Sequence, residues 1–194
     1  NTVIQAAWGI LLGKYNGKHD VVFGAVVSGR PSMIEGVEAM VGLFINTVPV
    51  RVAFNDNTVF TDLMRDVQEA AVASEPYHYS PLADIQDSSP LKQHLMDHIL
   101  VFENYPVVER IDGAIDPTDA GAADVPLELS NIEGFEQSNY DINIIIAVQD
   151  RLIISFEYNE NVYPADFIQR LAGHFRQTVE QIMTDPQLTV SQIA

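Results

Sequence analysis

The side chains able to do chemistry in this sequence are few and scattered. There is no cysteine among the 194 residues, which excludes thiolate nucleophiles, thiolate metal sites and disulfides. No glycine-rich phosphate loop is present, because Gly24 and Gly29 are too sparse and no Lys-Ser or Lys-Thr follows. No His-Glu-x-x-His element occurs. The five histidines are His19, His78, His94, His98 and His174. His94 and His98 stand four apart, the spacing of two metal ligands on one helix face. Their segment is turning into a strand, however, and offers no third ligand, so no metal site is expected. His78 lies between Tyr77 and Tyr79, just before Ser80-Pro81. An imidazole in such a loop can act as a base or simply pack.

Ser28-Gly29-Arg30-Pro31 carries more information. It sets a cation just beyond a buried apolar run, where open α/β sheets place their binding groups. A lone arginine at such a strand end is also a common structural device. Asn46, close to Gly42-Leu43-Phe44, offers an amide to a backbone or to a ligand amide. Phe44, Phe102, Phe156 and Phe175 read as core. Alone, these residues describe an α/β domain without a complete active site.

The elements that must position them follow from periodicity. Thr2 to about Tyr15 has apolar residues at helical spacing, with Asn16-Gly17 as a stop. Val21 to Val27 is short, β-branched and continuously apolar, the pattern of a strand buried on both faces. A loop with a short helix around Glu35–Met40 comes next. Asn46 to Val52 alternates as a strand, and Pro49 assigns it to an edge or a bulge. Thr58 to Ser74 reads as an amphipathic helix with Leu63, Val67, Ala70 and Ala71 toward the core. A loop with a short helix near Leu82–Ile85 leads to a strand from His98 to Glu103. Tyr140 to Ala147 and Leu152 to Tyr158 form a hairpin. The last helix begins around Pro164 and carries the stripe Phe167, Leu171, Phe175, Val179, Ile182. The tail from Leu188 reads as short and polar. The expected fold class is α/β, a mixed β-sheet flanked by helices.

Composition sets the outer limits. With 47% hydrophobic and 19% charged residues, the chain can bury a sizeable core. Its 27 acidic and 10 basic residues give a net charge of -17, which repels phosphate backbones, so nucleic acid is not an expected partner. No apolar run reaches the roughly 18 residues that span a bilayer, so no membrane partner is expected. The absence of cysteine suits a cytoplasmic location. The opening Asn1-Thr2-Val3-Ile4-Gln5 lacks the basic region of a signal peptide. It reads as a cut in a longer protein.

Taken together, the motifs resemble those of condensation domains in non-ribosomal peptide synthetases. Val41-Gly42-Leu43-Phe44-Ile45-Asn46-Thr47-Val48-Pro49-Val50-Arg51 resembles their fifth core motif. The stretch Val21–Pro31, ending in Ser-Gly-Arg-Pro, is similar to the strand before it, and Asn1–Trp8 to the helix before that. His78-Tyr79-Ser80-Pro81-Leu82 looks like a divergent sixth motif, with Tyr79 where the family often has Gln. Ser89-Pro90-Leu91 through Phe102-Glu103-Asn104-Tyr105-Pro106 resembles the seventh, and Tyr158-Asn159 and the final helix also fit.

The resemblance implies one lobe of a chloramphenicol acetyltransferase-like fold, whose two lobes form a V. In that family the N-terminal lobe carries His-His-x-x-x-Asp-Gly, and its second histidine serves the acceptor amine. No His-His pair occurs here, so this would be the C-terminal lobe alone, inactive by itself. Two phosphopantetheine arms enter between the lobes. The implied partners are the missing N-terminal subdomain, peptidyl carrier proteins and a neighbouring adenylation domain. Such synthetases make peptide antibiotics. Arg30 looks like the family arginine that pairs with the aspartate of the histidine motif, leaving it without a partner here. Gly42, Phe44, Asn46 and Thr47 are implied to line or support the tunnel. His78 and Asn104 are further candidates, and the loop around 105–135 resembles the crossover that bridges or floors the tunnel. Ile45-Asn46-Thr47 looks like ordinary condensation domains, not the Trp-Phe-Thr of epimerising or the Gly-Asp-Phe of cyclising relatives. An epimerising relative and a non-catalytic carrier-docking lobe remain the alternatives.

Overall fold

The computed structural model describes residues 1–30, 34–103, 138–148 and 150–193. Helix α1 is Thr2–Asn16. Gly17 ends it in the left-handed region, and the Lys18 N–H returns to the Gly13 carbonyl at 2.9 Å. The periodicity predicts a one-sided stripe, but every residue from Ile4 to Leu11 is buried. The helix is wedged between two other helices and the sheet, so it has no water-facing side along this stretch. Gly9 makes the fit possible: a Cβ there would stand 2.6 Å from the Val52 side chain.

Five strands form one mixed sheet. They are β1 (Asp20–Val27), β2 (Asn46–Ala53), β3 (His98–Glu103), β4 (Ile142–Val148) and β5 (Leu152–Tyr158). Their order is β2-β1-β3-β4-β5. β2 occupies an edge, which is why Pro49 costs no ladder bond. β1 pairs antiparallel with β2 from Asp20↔Ala53 to Val27↔Asn46. β4 and β5 form the expected antiparallel hairpin, and β3 runs parallel to β4. β1 meets β3 in parallel at only two positions, Gly24↔Ile99 and Ala25↔Leu100. Phe23, Gly24 and Ala25 are all buried, so the middle of β1 is covered on both faces as its composition requires.

Helices α2 (Phe60–Ser74) and α4 (Ala165–Thr184) join α1 on one face. The short α3 (Leu82–Ser88) and a 3-10 turn at Lys92–Leu95 precede β3. Ser89–Leu91, His94 and Leu95 overhang Val22 and Arg51 on the other face. In α2 the buried residues are Phe60, Leu63 and Val67, while Ala70, expected in the core, is exposed and Ala71 is half-buried. The last turns of the helix outrun the sheet, which removes their cover. In α4, Leu171, Phe175, Val179 and Ile182 are buried as expected. Phe167 is half-buried against Tyr163, and Ile168 takes the core position. The tail is not a polar appendage. Val190 and Ile193 are buried, and the Leu188 carbonyl accepts the Phe60 N–H at 2.9 Å. Among the described residues no helix is long and apolar enough to cross a membrane.

One polar contact lies inside this core. Trp8 Nε1–H donates to His98 Nε2 at 2.8 Å, tying α1 to the start of β3. Nε2 is therefore the unprotonated nitrogen, and Nδ1–H donates to Asp97 Oδ1 at 2.5 Å. Phe23 stacks on the imidazole and Trp8 meets Phe175 edge-on. Trp8→Phe would leave His98 Nε2 buried without a donor. The expected loss is about 1–3 kcal/mol, read by denaturant unfolding; an unchanged midpoint would show the bond to be dispensable. The His98 N–H holds the Asp97 carboxyl below the usual carboxylate range, with burial opposing. A depressed folded value stabilises above the unfolded value and is lost as pH falls through the folded one. Asp97→Asn should therefore flatten the loss of stability below about pH 4. The carboxylate is 84% exposed, so the gain is screened by solvent.

Candidate functional site

Beyond Ala25, β1 and β3 no longer pair, and β1 continues with β2 alone. The parting strands open a groove at their carboxyl ends, with a volume of about 420 Å³. Val26, Val27 and Phe102 form its strand walls. The overhanging end of α2 supplies Gln68, Ala71 and Val72. Glu75 and His78 follow from the next turn, and Arg30 stands at the end of β1.

Gly29 makes the turn out of β1 with φ 58°, and a side chain there would run into the Phe44 carbonyl. The turn delivers Arg30 onto the following loop. Its Nη1 donates to the Val37 and Met40 carbonyls, the latter at 3.1 Å. Its guanidinium lies over the Phe44 ring, 4.2 Å from the centroid. One sequence expectation is corrected here. Phe44 is not core: it is half-buried and serves as the platform for Arg30. Arg30 clamps the loop that contains Val37 to Phe44. Among the described residues no carboxylate pairs with it. The clamped loop holds Val41 and Leu43 almost fully in solvent, at 103% and 91% exposure.

Asn46 acts as a bracket. Its Nδ2 donates to the His78 carbonyl at 2.7 Å and to the Ser80 carbonyl at 2.8 Å. Its Oδ1 accepts the Thr47 N–H at 2.9 Å. The fifth-motif strand thus fixes the loop that carries His78. Thr47 pairs with Val26 on β1. Gly42, Phe44, Asn46 and Thr47 do not line the groove; Phe44, Asn46 and Thr47 contact its wall residues Arg30, His78 and Val26, and Gly42 lies beside the Phe44 ring. Asn104, Pro31 and the expected crossover at 105–135 lie outside the described residues.

His78 Nε2 stands 3.1 Å from Ser74 Oγ, whose own proton goes to the Ala71 carbonyl at 2.8 Å. Burial pulls His78 below the ordinary histidine value, with Glu75 pulling the other way, so the ring is neutral near pH 7. The sequence offered no signal for Gln68 or Glu75 as wall residues. His98 is committed to Trp8 and Asp97, and His94 is exposed. Among the described residues no group of three or more acidic or histidine side chains could hold a metal ion.

Asn46→Ala would leave the His78 and Ser80 carbonyls without their donor. Amide exchange across Tyr77–Ser80 should accelerate, with about 1–3 kcal/mol of local stability lost. Unchanged exchange there would show that the bracket does not hold the loop.

Comparison with known proteins gives a consistent result. The condensation domain family profile matches residues 1–194. A plipastatin synthase of Bacillus subtilis (strain 168) is 47% identical over 194 residues, covering all of this chain and 7% of that protein. Tyrocidine synthase 2 of Brevibacillus parabrevis is 42% identical over 193 residues, covering 100% of this chain and 5% of that protein. The chain thus spans less than a tenth of these relatives. Among solved structures, the first condensation domain of the CDA synthetase aligns with a TM-score of 0.72 at 20% identity, over 100% of this chain and 41% of that one. A four-domain nonribosomal peptide synthetase bound to AMP and glycine gives a TM-score of 0.80 at 16% identity, over 98% of this chain and 15% of that one. At these identities the structures speak for the fold, a mixed sheet flanked by helices of the chloramphenicol acetyltransferase-like kind. With the profile spanning every residue and the fold agreeing, the chain belongs to the condensation domain family.

Proposed function

We propose that this chain is the C-terminal lobe of a condensation domain. The whole domain would join a donor aminoacyl or peptidyl thioester to the amine of an acceptor aminoacyl thioester. In that reaction the amine attacks the thioester carbonyl, a C–N bond forms, the C–S bond breaks, and the amine's proton leaves with the thiol. The observation that carries the reading is the groove between the parted ends of β1 and β3. Parted strands present edges that lack each other as ladder partners, and an extended, amide-bearing arm suits such edges. Phosphopantetheine on peptidyl carrier proteins is an arm of that chemistry. This lobe supplies a wall that orients the arm and keeps water from the thioester. The remaining partners in this reading are the N-terminal lobe and a neighbouring adenylation domain, in a cytoplasmic synthetase of peptide antibiotics.

Arg30 gains a second role in this reading. Only Nη1 is engaged by the loop carbonyls. A guanidinium has five N–H donors, so Nε and Nη2 remain for a carboxylate from the other lobe. One residue would then fix both the apolar loop and the lobe junction.

The full-length protein, supplied with both loaded carriers, should form the amide. Absence of product with active donor and acceptor would end the peptide-bond reading. Arg30→Ala should lower the rate and loosen the loop, and Arg30→Lys should not restore either, because an ammonium cannot serve the carbonyls and a carboxylate as a planar fork does. A lysine variant with the parental rate would remove the bridging role.

A further inference from the structure

The polar groups of the groove are sorted by charge. Glu75 and His78 come from one turn and share one wall. Ser74 sets the orientation of the imidazole. With its proton on the Ala71 carbonyl, Ser74 Oγ accepts Nε2–H from His78. In the neutral ring Nδ1 then carries a lone pair. Among the described residues nothing bonds that nitrogen. Asn46 holds the same residue by its main-chain carbonyl, so the ring is placed from both sides. The wall thus offers a carboxylate and a lone-pair acceptor three residues apart, and no donor from His78. Arg30, a cationic side chain lining the groove, is drawn toward Val37, Met40 and Phe44.

A carboxylate and a lone-pair acceptor on one wall favour a group that donates hydrogen bonds and is cationic. We propose that Glu75 and His78 are specificity-determining residues that receive the α-amine of the acceptor aminoacyl group. Glu75 serves as counter-ion to the ammonium form, and His78 Nδ1 accepts one of its N–H bonds. A hydroxyl in place of the amine can also donate to Glu75 and His78, but it brings no positive charge, so the wall favours amine over hydroxy acid acceptors through the ion pair. This inference rests on the condensation reading and adds the residues that select the nucleophile.

The test uses the full-length protein with loaded donor and acceptor carriers. Amide formation by the unaltered protein checks the condensation reading by itself, and its failure would leave that reading as the one at fault. Given amide formation, Glu75→Gln, an exposed and conservative change, should raise the KM for the aminoacyl acceptor about two- to fivefold, the size of an exposed ion pair. Inhibition by the matching α-hydroxyacyl carrier should weaken less, and Glu75→Asp should recover part of the loss. His78→Phe, which removes the Nδ1 acceptor, should weaken the amine and hydroxyacyl carriers alike. An unchanged KM in either variant, or a loss on Glu75→Gln equal for amine and hydroxyl acceptors, would overturn the proposal.

Discussion

Two residue pairs, Gly24↔Ile99 and Ala25↔Leu100, join the two halves of the sheet. On one side of this seam lies the β1–β2 pair, and on the other the β3–β4–β5 unit. A parallel ladder so short contributes little by itself, so side chains must hold the seam. Phe23 stacks on His98 across it, and Leu100 is buried beneath it. Trp8 reaches from α1 to bond His98, which fixes the start of β3 relative to the helix layer. Fastened at this end, the strands are free to part at the other. The groove is the consequence of where the seam stops, and its carboxyl-end position follows from the parallel direction of the two strands.

The same constraint explains which features were legible in the sequence. Local patterns survived: the continuous apolar run of β1, the edge position implied by Pro49, the β4–β5 hairpin and the stripe of α4 all depend on near neighbours. Features set by distant packing did not. The all-round burial of α1 arises because elements far along the chain enclose it, and a one-sided periodicity carries no sign of that. The tail looked polar, yet Val190 and Ile193 close the core beside Phe60. Phe44 looked like core because large aromatics usually are. Its place under a guanidinium depends on the left-handed turn at Gly29, which points Arg30 back along the loop. The groove itself was illegible, since it depends on register between strands separated by 70 residues of chain.

The candidate site divides into residues that face the groove and residues that hold those residues still. Motif reasoning found the second group, together with Arg30 and His78 of the first. Gly42, Phe44, Asn46 and Thr47 belong to one contiguous stretch, and their side chains or backbone stabilise a wall built elsewhere. Motifs of contiguous residues favour such supports, because a strand and its turn are local objects. Wall residues such as Glu75 come from a helix end whose position depends on the whole layer. Asn46 is the link between the groups, because one amide nitrogen fixes the carbonyls on either side of Tyr79. A pair of 2.7 and 2.8 Å bonds from one donor group leaves that loop little freedom to turn His78 away.

Arg30 shows how a single cation can serve two scales. Within this chain its charge is met by carbonyl dipoles and an aromatic face, which satisfies it without a carboxylate. That arrangement keeps the guanidinium in place before any partner arrives, so a later ion pair would lose little side-chain entropy on forming. The loop it clamps exposes Val41 and Leu43, residues that a chain avoids leaving bare unless something covers them. The cation and the apolar loop therefore form one preorganised surface beside the groove, with the polar anchor fixing the geometry in which the apolar side chains are exposed.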